Sequence, residues 1–208
     1  MSRPDQSINP RILKSAKGEF LAQGFQNASL KTICQEARVT TGALYKRYSS
    51  KEALFAAVVE STVADLNAVC MQKYMTDFSL IPDGALIRAW DVAEGSMLWW
   101  FRYLQERRDG FVLLINCAEN TRYANFRHDW VEKLTEANYA YYQEAYRRGL
   151  TEAQLTKTAM HILLSSFWTA IYEPFIHGYS FQEMEEHCHL VCRFFNWNHI
   201  FCFKRRET

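Results

Sequence analysis

This 208-residue chain has few residues built for turns: 8 Gly, 4 Pro and no low-complexity tract. That scarcity excludes a loop-rich architecture and leaves a globular protein made mostly of helices. Its six cysteines, Cys34, Cys70, Cys117, Cys188, Cys192 and Cys202, contain no CxxC pair and no disulfide-framework spacing. With no signal peptide at the N-terminus, a reducing, cytoplasmic location is expected. The longest unbroken apolar runs, such as Phe111 to Ile115, are too short to cross a bilayer, so no membrane partner is expected. Also missing are GxGxxG, a phosphate-binding loop, HExxH and GxSxG. The adjacent His128 and Asp129 read as surface residues, so the chain is not expected to be an enzyme, and no metal or cofactor is expected.

Bulk charge is absent too, since the formal net charge is only +1. That near-zero total hides an asymmetry. Up to Lys51 there are nine Lys and Arg against three Asp and Glu, a balance of +6, which leaves −5 for the remainder. A small basic head on a larger, mildly acidic body fits a polyanion-binding module joined to a domain with another task. Hydrophobic residues at 49% and aromatics at 15% supply a core for both.

Caps and apolar periodicity predict an all-α fold of about nine helices, and no two-residue alternation marks a strand. Asn9 and Pro10 predict the start of the first helix, Ile12, Ala16 and Phe20 its buried face, and Gly24 its end. Ser29 caps a second helix whose Leu30, Ile33, Cys34 and Ala37 face inward. After a tight turn at Arg38-Val39-Thr40, Thr40 caps a third helix from Thr41 to about Tyr48. Ser49 and Glu52 predict a capping box for a long fourth helix that connects the two parts. The body then reads as helices from Pro82 and Asp83 to about Gln105, from about Asp109 to Cys117 and from about Tyr123 to Arg148. Thr151 with Gln154 predicts the opening of a helix reaching Phe175, and Ser180 with Glu183 that of a last helix reaching about Asn198. A basic tail, Lys204-Arg205-Arg206, follows.

Two short helices joined by a three-residue turn and rich in basic residues match helix-turn-helix logic, in which the second helix enters the major groove of DNA. Thr41 offers a hydroxyl near the N-terminus of that helix, Gly42 and Ala43 present no bulk to an approaching backbone, and Tyr45 and Lys46 reach backbone oxygens one turn further on. Leu44 and Tyr48 turn back to the core. Lys31 and Lys51 stand near helix N-termini, where the helix dipole disfavours cations, which suggests an external anion.

At this point the chain resembles the TetR-type transcriptional regulators, from about Gln6 to Leu66. The resemblance is carried by Ala16, Phe20, Gly24-Phe25, Ser29, Ile33, Ala37, Val39-Thr40, Gly42, Leu44-Tyr45, Tyr48 and Ser50-Lys51-Glu52-Ala53-Leu54. It implies a DNA-binding domain at 6–66 with its helix-turn-helix at 29–48, and an effector-binding and dimerisation domain at 67–208. It implies further that Ser29 and Thr40 touch phosphates, that Thr41, Gly42, Ala43 and Lys46 face bases or backbone, and that Tyr45 and Lys51 anchor backbone oxygens. Three positions depart from the family pattern: Cys34 stands for the usual alanine, Tyr48 for phenylalanine, and Arg38 for the glycine common in the turn.

Within the body, Trp90, Trp99, Trp100, Phe101, Tyr139, Tyr142, Tyr146, Phe167 and Trp168 are expected around a pocket for an apolar or aromatic small molecule, with Asn116, Asn138 or His161 as polar anchors. Ile162, Leu163, Phe167, Ile171, Leu190, Val191, Phe194 and Phe195 on the last two helices are the expected homodimer face. Cys188 and Cys192 share a face, so the same chain could serve as a redox- or metal-responsive regulator. The reading that results is a repressor that binds a palindromic operator of double-stranded DNA as a dimer and is released by a small-molecule effector. The same features would also suit a transcriptional activator, or a non-DNA-binding scaffold of the same fold.

Overall fold

A computed structural model of the chain describes residues 8–74, 78–90 and 94–203, so the basic tail Lys204-Arg205-Arg206 and the start of the family-like stretch at Gln6 lie outside the described residues. In chain order the helices are α1 (Ile8–Asn27), α2 (Leu30–Ala37), α3 (Thr41–Tyr45), α4 (Lys51–Tyr74), α5 (Asp83–Arg88), α6 (Glu94–Gln105), α7 (Arg108–Asn116), α8 (Phe126–Arg147), α9 (Lys157–Ile176), α10 (Phe181–Phe194) and α11 (Trp197–Ile200), with a 3-10 turn at Phe78–Leu80. The fold is all-α: the described residues hold no strand, only an isolated antiparallel bridge between Thr151 and Phe203. Two compact units divide the chain. One is Met1–Leu66 with Arg107–Arg127, and the other is Asn67–Glu106 with His128–Thr208.

In the first unit, the i, i+4, i+8 face of α1, Ile12, Ala16 and Phe20, is fully buried. Gly24 kinks α1 with φ 71 and ψ 166, a region essentially reserved for glycine. The kink brings Phe25 round to Phe20 and Phe55, with centroids 6.0 and 5.5 Å away, and Phe20 and Phe55 meet edge-on at 5.1 Å. Residues 107–127 join this core. Phe111, Leu113, Leu114 and Ile115 are buried, Lys17 pairs with Asp109 at 2.6 Å, and the Phe25 N–H donates to the Cys117 carbonyl at 3.0 Å. Glu52 accepts the Arg122 N–H at 2.9 Å. That contact corrects the expected capping box, because Glu52 is turned to a distant loop while Ser50 caps α4 by accepting the Ala53 N–H at 3.0 Å. A further correction concerns Asn9, which lies inside α1, its side chain accepting from Arg47.

Over Lys51–Met71, α4 is long and apolar enough to cross a membrane by length and composition, which the short runs in the sequence did not foretell. Its Leu54, Phe55, Val59, Thr62 and Leu66 are instead buried.

The second unit is built from the later helices. Ser180 and Glu183 form the expected capping box of α10, the Glu183 N–H reaching Ser180 Oγ at 3.3 Å and the Ser180 N–H reaching Glu183 Oε2 at 2.7 Å. Three expectations fail here. Thr156, not Thr151, caps α9, because the Thr151 hydroxyl donates to the Phe201 carbonyl and its backbone bridges Phe203. The helix expected from Asp83 to Gln105 ends at Arg88, where the Trp90 N–H tightens onto the Ile87 carbonyl at 3.1 Å; residues 91–93 lie outside the described residues. The last long helix stops at Phe194, with Phe195 leaving helical geometry, before the short α11. At the end of α8, Arg148 binds Glu144 at 2.7 Å, Asp83 at 3.1 Å and the carbonyls of Ile81 and Ser79 at 2.6 and 3.0 Å. The two arginines beside it, Arg147 and Arg148, hold the Glu144 carboxyl down to about 2.

Gly110 in α7 packs closely on α4, since a Cβ there would lie 2.0 Å from Thr62 Oγ1 and 2.9 Å from Thr62 Cβ. Alanine is the better helix former by about 1 kcal/mol, yet Gly110→Ala is expected to destabilise the protein by about 1–3 kcal/mol through overpacking. Denaturant unfolding reads this directly, with Thr62→Ala on the Gly110→Ala background recovering part of the loss. A more stable Gly110→Ala would refute the close packing.

Candidate nucleic-acid interface

Residues 29–48 form the expected two helices and turn. Ser29 has extended backbone geometry and accepts the Thr32 N–H at 3.3 Å, while its own N–H donates to Glu19 Oε1 at 2.8 Å. Ile33, Cys34 and Ala37 are buried. Arg38 then turns the chain in the left-handed region, φ 53 and ψ 50, with its N–H on the Cys34 and Gln35 carbonyls. The reversal at this departure from the family pattern is therefore made with a residue that carries a Cβ.

Thr40 opens α3 with its Oγ1 accepting the Ala43 N–H at 3.1 Å. This helix has five residues and stops at Tyr45, short of the expected Tyr48. Leu44 is its anchor, with no exposed surface. Arg47 closes the other end, donating from Nη1 to the Ala43 carbonyl at 3.0 Å and from Nε to Asn9 Oδ1 at 2.7 Å. Tyr48 is half-buried, and burial pushes its phenol pKa up.

With these ends tied, α3 presents Thr41, Gly42, Tyr45 and Lys46 to solvent, beside exposed Lys31 and Thr40 and half-buried Ser29 and Ala43. Gly42 is informative because the fold does not require it. A Cβ at this position would meet only Thr40 Oγ1, at 4.0 Å. Glycine disfavours a helix, so packing within the chain does not account for the missing side chain.

Lys51 is placed differently from expectation. Its Nζ donates to the Gln26 and Ala28 carbonyls at 2.9 and 2.8 Å and lies 5.0 Å from the Phe25 ring centroid. Desolvation lowers its pKa against the opposing pull of Glu19. Two of its three donors thus hold the loop that presents Ser29, which makes it a positioning residue. Arg47 was missed in the sequence. Its spacing from Ala43 is helical, but nothing local points to Asn9.

In the second unit, a cavity of about 300 Å³ is walled by Trp90, Trp100, Phe167, Trp168 and Trp197, with Asn138 at its edge. Trp100 and Trp168 meet edge-on at 5.4 Å. The other expected pocket residues lie elsewhere. Trp99 is half-exposed and stacks on Tyr103 at 5.0 Å. Tyr139 and Tyr142 line a separate, open cleft with Tyr146 and Gln154, further along α8 than Leu134 and Asn138. His161 is held 3.2 Å from Glu132 and 3.3 Å from Thr135. Asn116 is exposed on α7 and belongs to the first unit.

The expected dimer residues divide as well. Ile162, Leu190 and Phe194 are 60%, 63% and 79% exposed, and Leu163 is half-buried. Phe167, Ile171, Val191 and Phe195 are buried within the chain, on the inward faces of α9 and α10. Cys188 is buried and Cys192 half-buried. The described residues contain no group of His, Cys, Asp or Glu able to hold a metal ion.

A capped second helix, a left-handed turn and a short helix with a bare N-terminal face are the elements of a helix-turn-helix nucleic-acid-binding head. Residues 12–58 match the family described as "Bacterial regulatory proteins, tetR family". The chain is 39% identical over 59 residues to the HTH-type transcriptional regulator UidR of Escherichia coli (strain K12), covering 28% of this chain and 30% of UidR. It is 34% identical over 65 residues to the HTH-type transcriptional repressor SCO4008 of Streptomyces coelicolor, covering 31% of this chain and 34% of that protein. The chain thus spans about a third of the length of these relatives. A crystal structure of a TetR-family transcriptional regulator from Bordetella parapertussis superposes with a TM-score of 0.62 over 92% of this chain and 95% of that one, at 16% identity, and so shares the fold. Residues 12–58 are thus similar to the TetR-family DNA-binding head, and the chain shares the fold of a TetR-family regulator over 92% of its length.

The turn yields a test. Left-handed geometry costs a residue with a Cβ roughly 1–2 kcal/mol, so Arg38→Gly is expected to raise the thermal unfolding midpoint slightly and Arg38→Val, which is β-branched, to lower it. A lower midpoint for the glycine variant would contradict the observed turn.

Proposed function

We propose that this protein is a homodimeric transcriptional regulator, a repressor that holds a palindromic operator and releases it when a small apolar or aromatic effector enters the cavity of the second unit. The observation that carries the reading is the face of α3. Thr41 and Gly42 stand exposed at its N-terminus, Gly42 without a structural need, and Tyr45 and Lys46 stand exposed one turn on. Hydroxyls, a helix N-terminus and an ammonium suit phosphate oxygens, and a side chain of hydrogen alone lets a DNA backbone or base edge come close. The repressor role is supported by the name of one relative, SCO4008.

Two copies are needed to read a palindrome, one per half-site. The exposed Ile162, Leu190 and Phe194 of α9 and α10 supply apolar surface for that pairing, beside the small exposed Ser165, Ser166 and Thr169. Regulation follows from differential affinity: an effector that binds better to the form unable to grip DNA shifts the population toward it. Helix α4 begins in the first unit and ends in the second, as does α8, so each is a continuous helix that joins the two.

Fluorescence anisotropy with the DNA upstream of the coding region tests the reading, starting at low salt, where phosphate contacts are strongest. Lys46→Ala is expected to weaken binding across sequences and to reduce the salt slope by about one phosphate contact. Tyr45→Phe is expected to weaken it through loss of one hydroxyl. Neither should change the unfolding midpoint, since both side chains are exposed. No DNA binding by the parent protein at low salt would refute the proposal. The pairing surface has its own check: Phe194→Asp, at a site 79% exposed, is expected to yield a folded monomer by light scattering with weakened operator binding, whereas an unaltered dimer would exclude this face.

A further inference from the structure

We infer that the effector is an anion: a flat apolar body carrying a carboxylate or similar oxyanion, with Arg88 as its counter-charge. The inference rests on the reading of the cavity as the effector site. Among the described residues, those lining that cavity include one cation, Arg88, and no carboxylate. Arg88, exposed on the cavity rim, has no carboxylate partner among the described residues. Of the other arginines of the same unit, Arg102 pairs with Glu185, Arg147 with Glu144, and Arg148 with Glu144 and Asp83, while Arg193, away from the cavity lining, is like Arg88 without a carboxylate partner among the described residues.

Two residues away, Trp90 belongs to the same wall. It is 6% exposed, and its indole N–H finds no acceptor among the described residues. A buried donor without an acceptor is costly, and a ligand oxygen would relieve it. Guanidinium and indole thus bring two donors to a cavity whose remaining lining is mostly rings and aliphatic chains, among them Trp100, Leu164, Phe167 and Trp168, with Ser96 and Asn138 the polar exceptions. Arginine's planar fork suits a carboxylate in particular. About 300 Å³ admits a body the size of a fused two-ring acid and lies at the small end of ligand pockets.

The test uses the full-length protein and two probes of equal shape, 2-naphthoate and its neutral amide, 2-naphthamide, read by tryptophan fluorescence and by the unfolding midpoint. Naphthoate is expected to bind about 5-fold more tightly than the amide, a margin kept modest because Arg88 is exposed. Arg88→Gln should abolish that preference and leave the amide unaffected, and Arg88→Lys should restore part of it. Equal binding of both probes to the parent protein, or a preference that survives Arg88→Gln, overturns the inference. So does failure of both probes to bind at concentrations on the order of 1 mM. Ser96→Trp, at an exposed residue of the lining, separates the two readings. If it blocks both probes, the cavity stands as the site whatever the charge preference. If both bind it unchanged, the cavity reading and the anion inference fall together.

Discussion

A helix of five residues has no stability of its own, since nucleation in water is unfavourable and so short a segment closes almost no hydrogen bonds. Helix α3 exists because the chain around it holds it. Leu44 is fully buried, α3 packs on α2, Thr40 caps one end, and Arg47 ties the other to Ala43 and Asn9. With Leu44 fixed inward, Tyr45 and Lys46, the next residues round the helix, turn outward, while Thr41 is exposed at the helix's first position. The proposed DNA contacts all depend on that one buried leucine and the turn that delivers it. Arg38 in its left-handed conformation is the least comfortable part of the arrangement, and two carbonyls of α2 hold it in place.

Much of this head was legible in the sequence because its signals are local. Capping by Ser29 and Thr40, and the buried face at Ile12, Ala16 and Phe20, depend on spacings of three and four residues that a linear reading detects. The contacts that escaped notice link residues far apart: Arg47 with Asn9 at 38 residues, Lys51 with Gln26 at 25, and Glu52 with Arg122 at 70. Lys51 is the instructive case. A lysine at a helix start beside a basic patch looks like a phosphate ligand, and only the folded position of the Gln26 and Ala28 carbonyls reveals its other task.

In the second unit the sequence told which residues are apolar but not which way each one turns. Phe167, Ile171, Val191 and Phe195 are as hydrophobic as Ile162, Leu190 and Phe194, yet the first four are buried within the chain and the last three are exposed. A helix covered on two sides carries two apolar stripes, and periodicity alone cannot assign either to its partner. The aromatic residues show the same ambiguity. Trp100, Phe167 and Trp168 meet round one cavity, while Tyr139, Tyr142 and Tyr146 border another further along α8. The capping box at Ser180 and Glu183 needed no such knowledge, whereas Thr151 lost its expected role to a carbonyl fifty residues away in the chain.

The cysteines, none of them in a disulfide, are sorted by depth in a way that makes the molecule its own reporter. Cys34 and Cys117 are shut inside the first unit, Cys70 and Cys188 inside the second, while Cys202 is open to solvent. A thiol reagent in water meets Cys202 at once and reaches the other four only when the surrounding helices part, so the order in which they are modified records which unit loosens first.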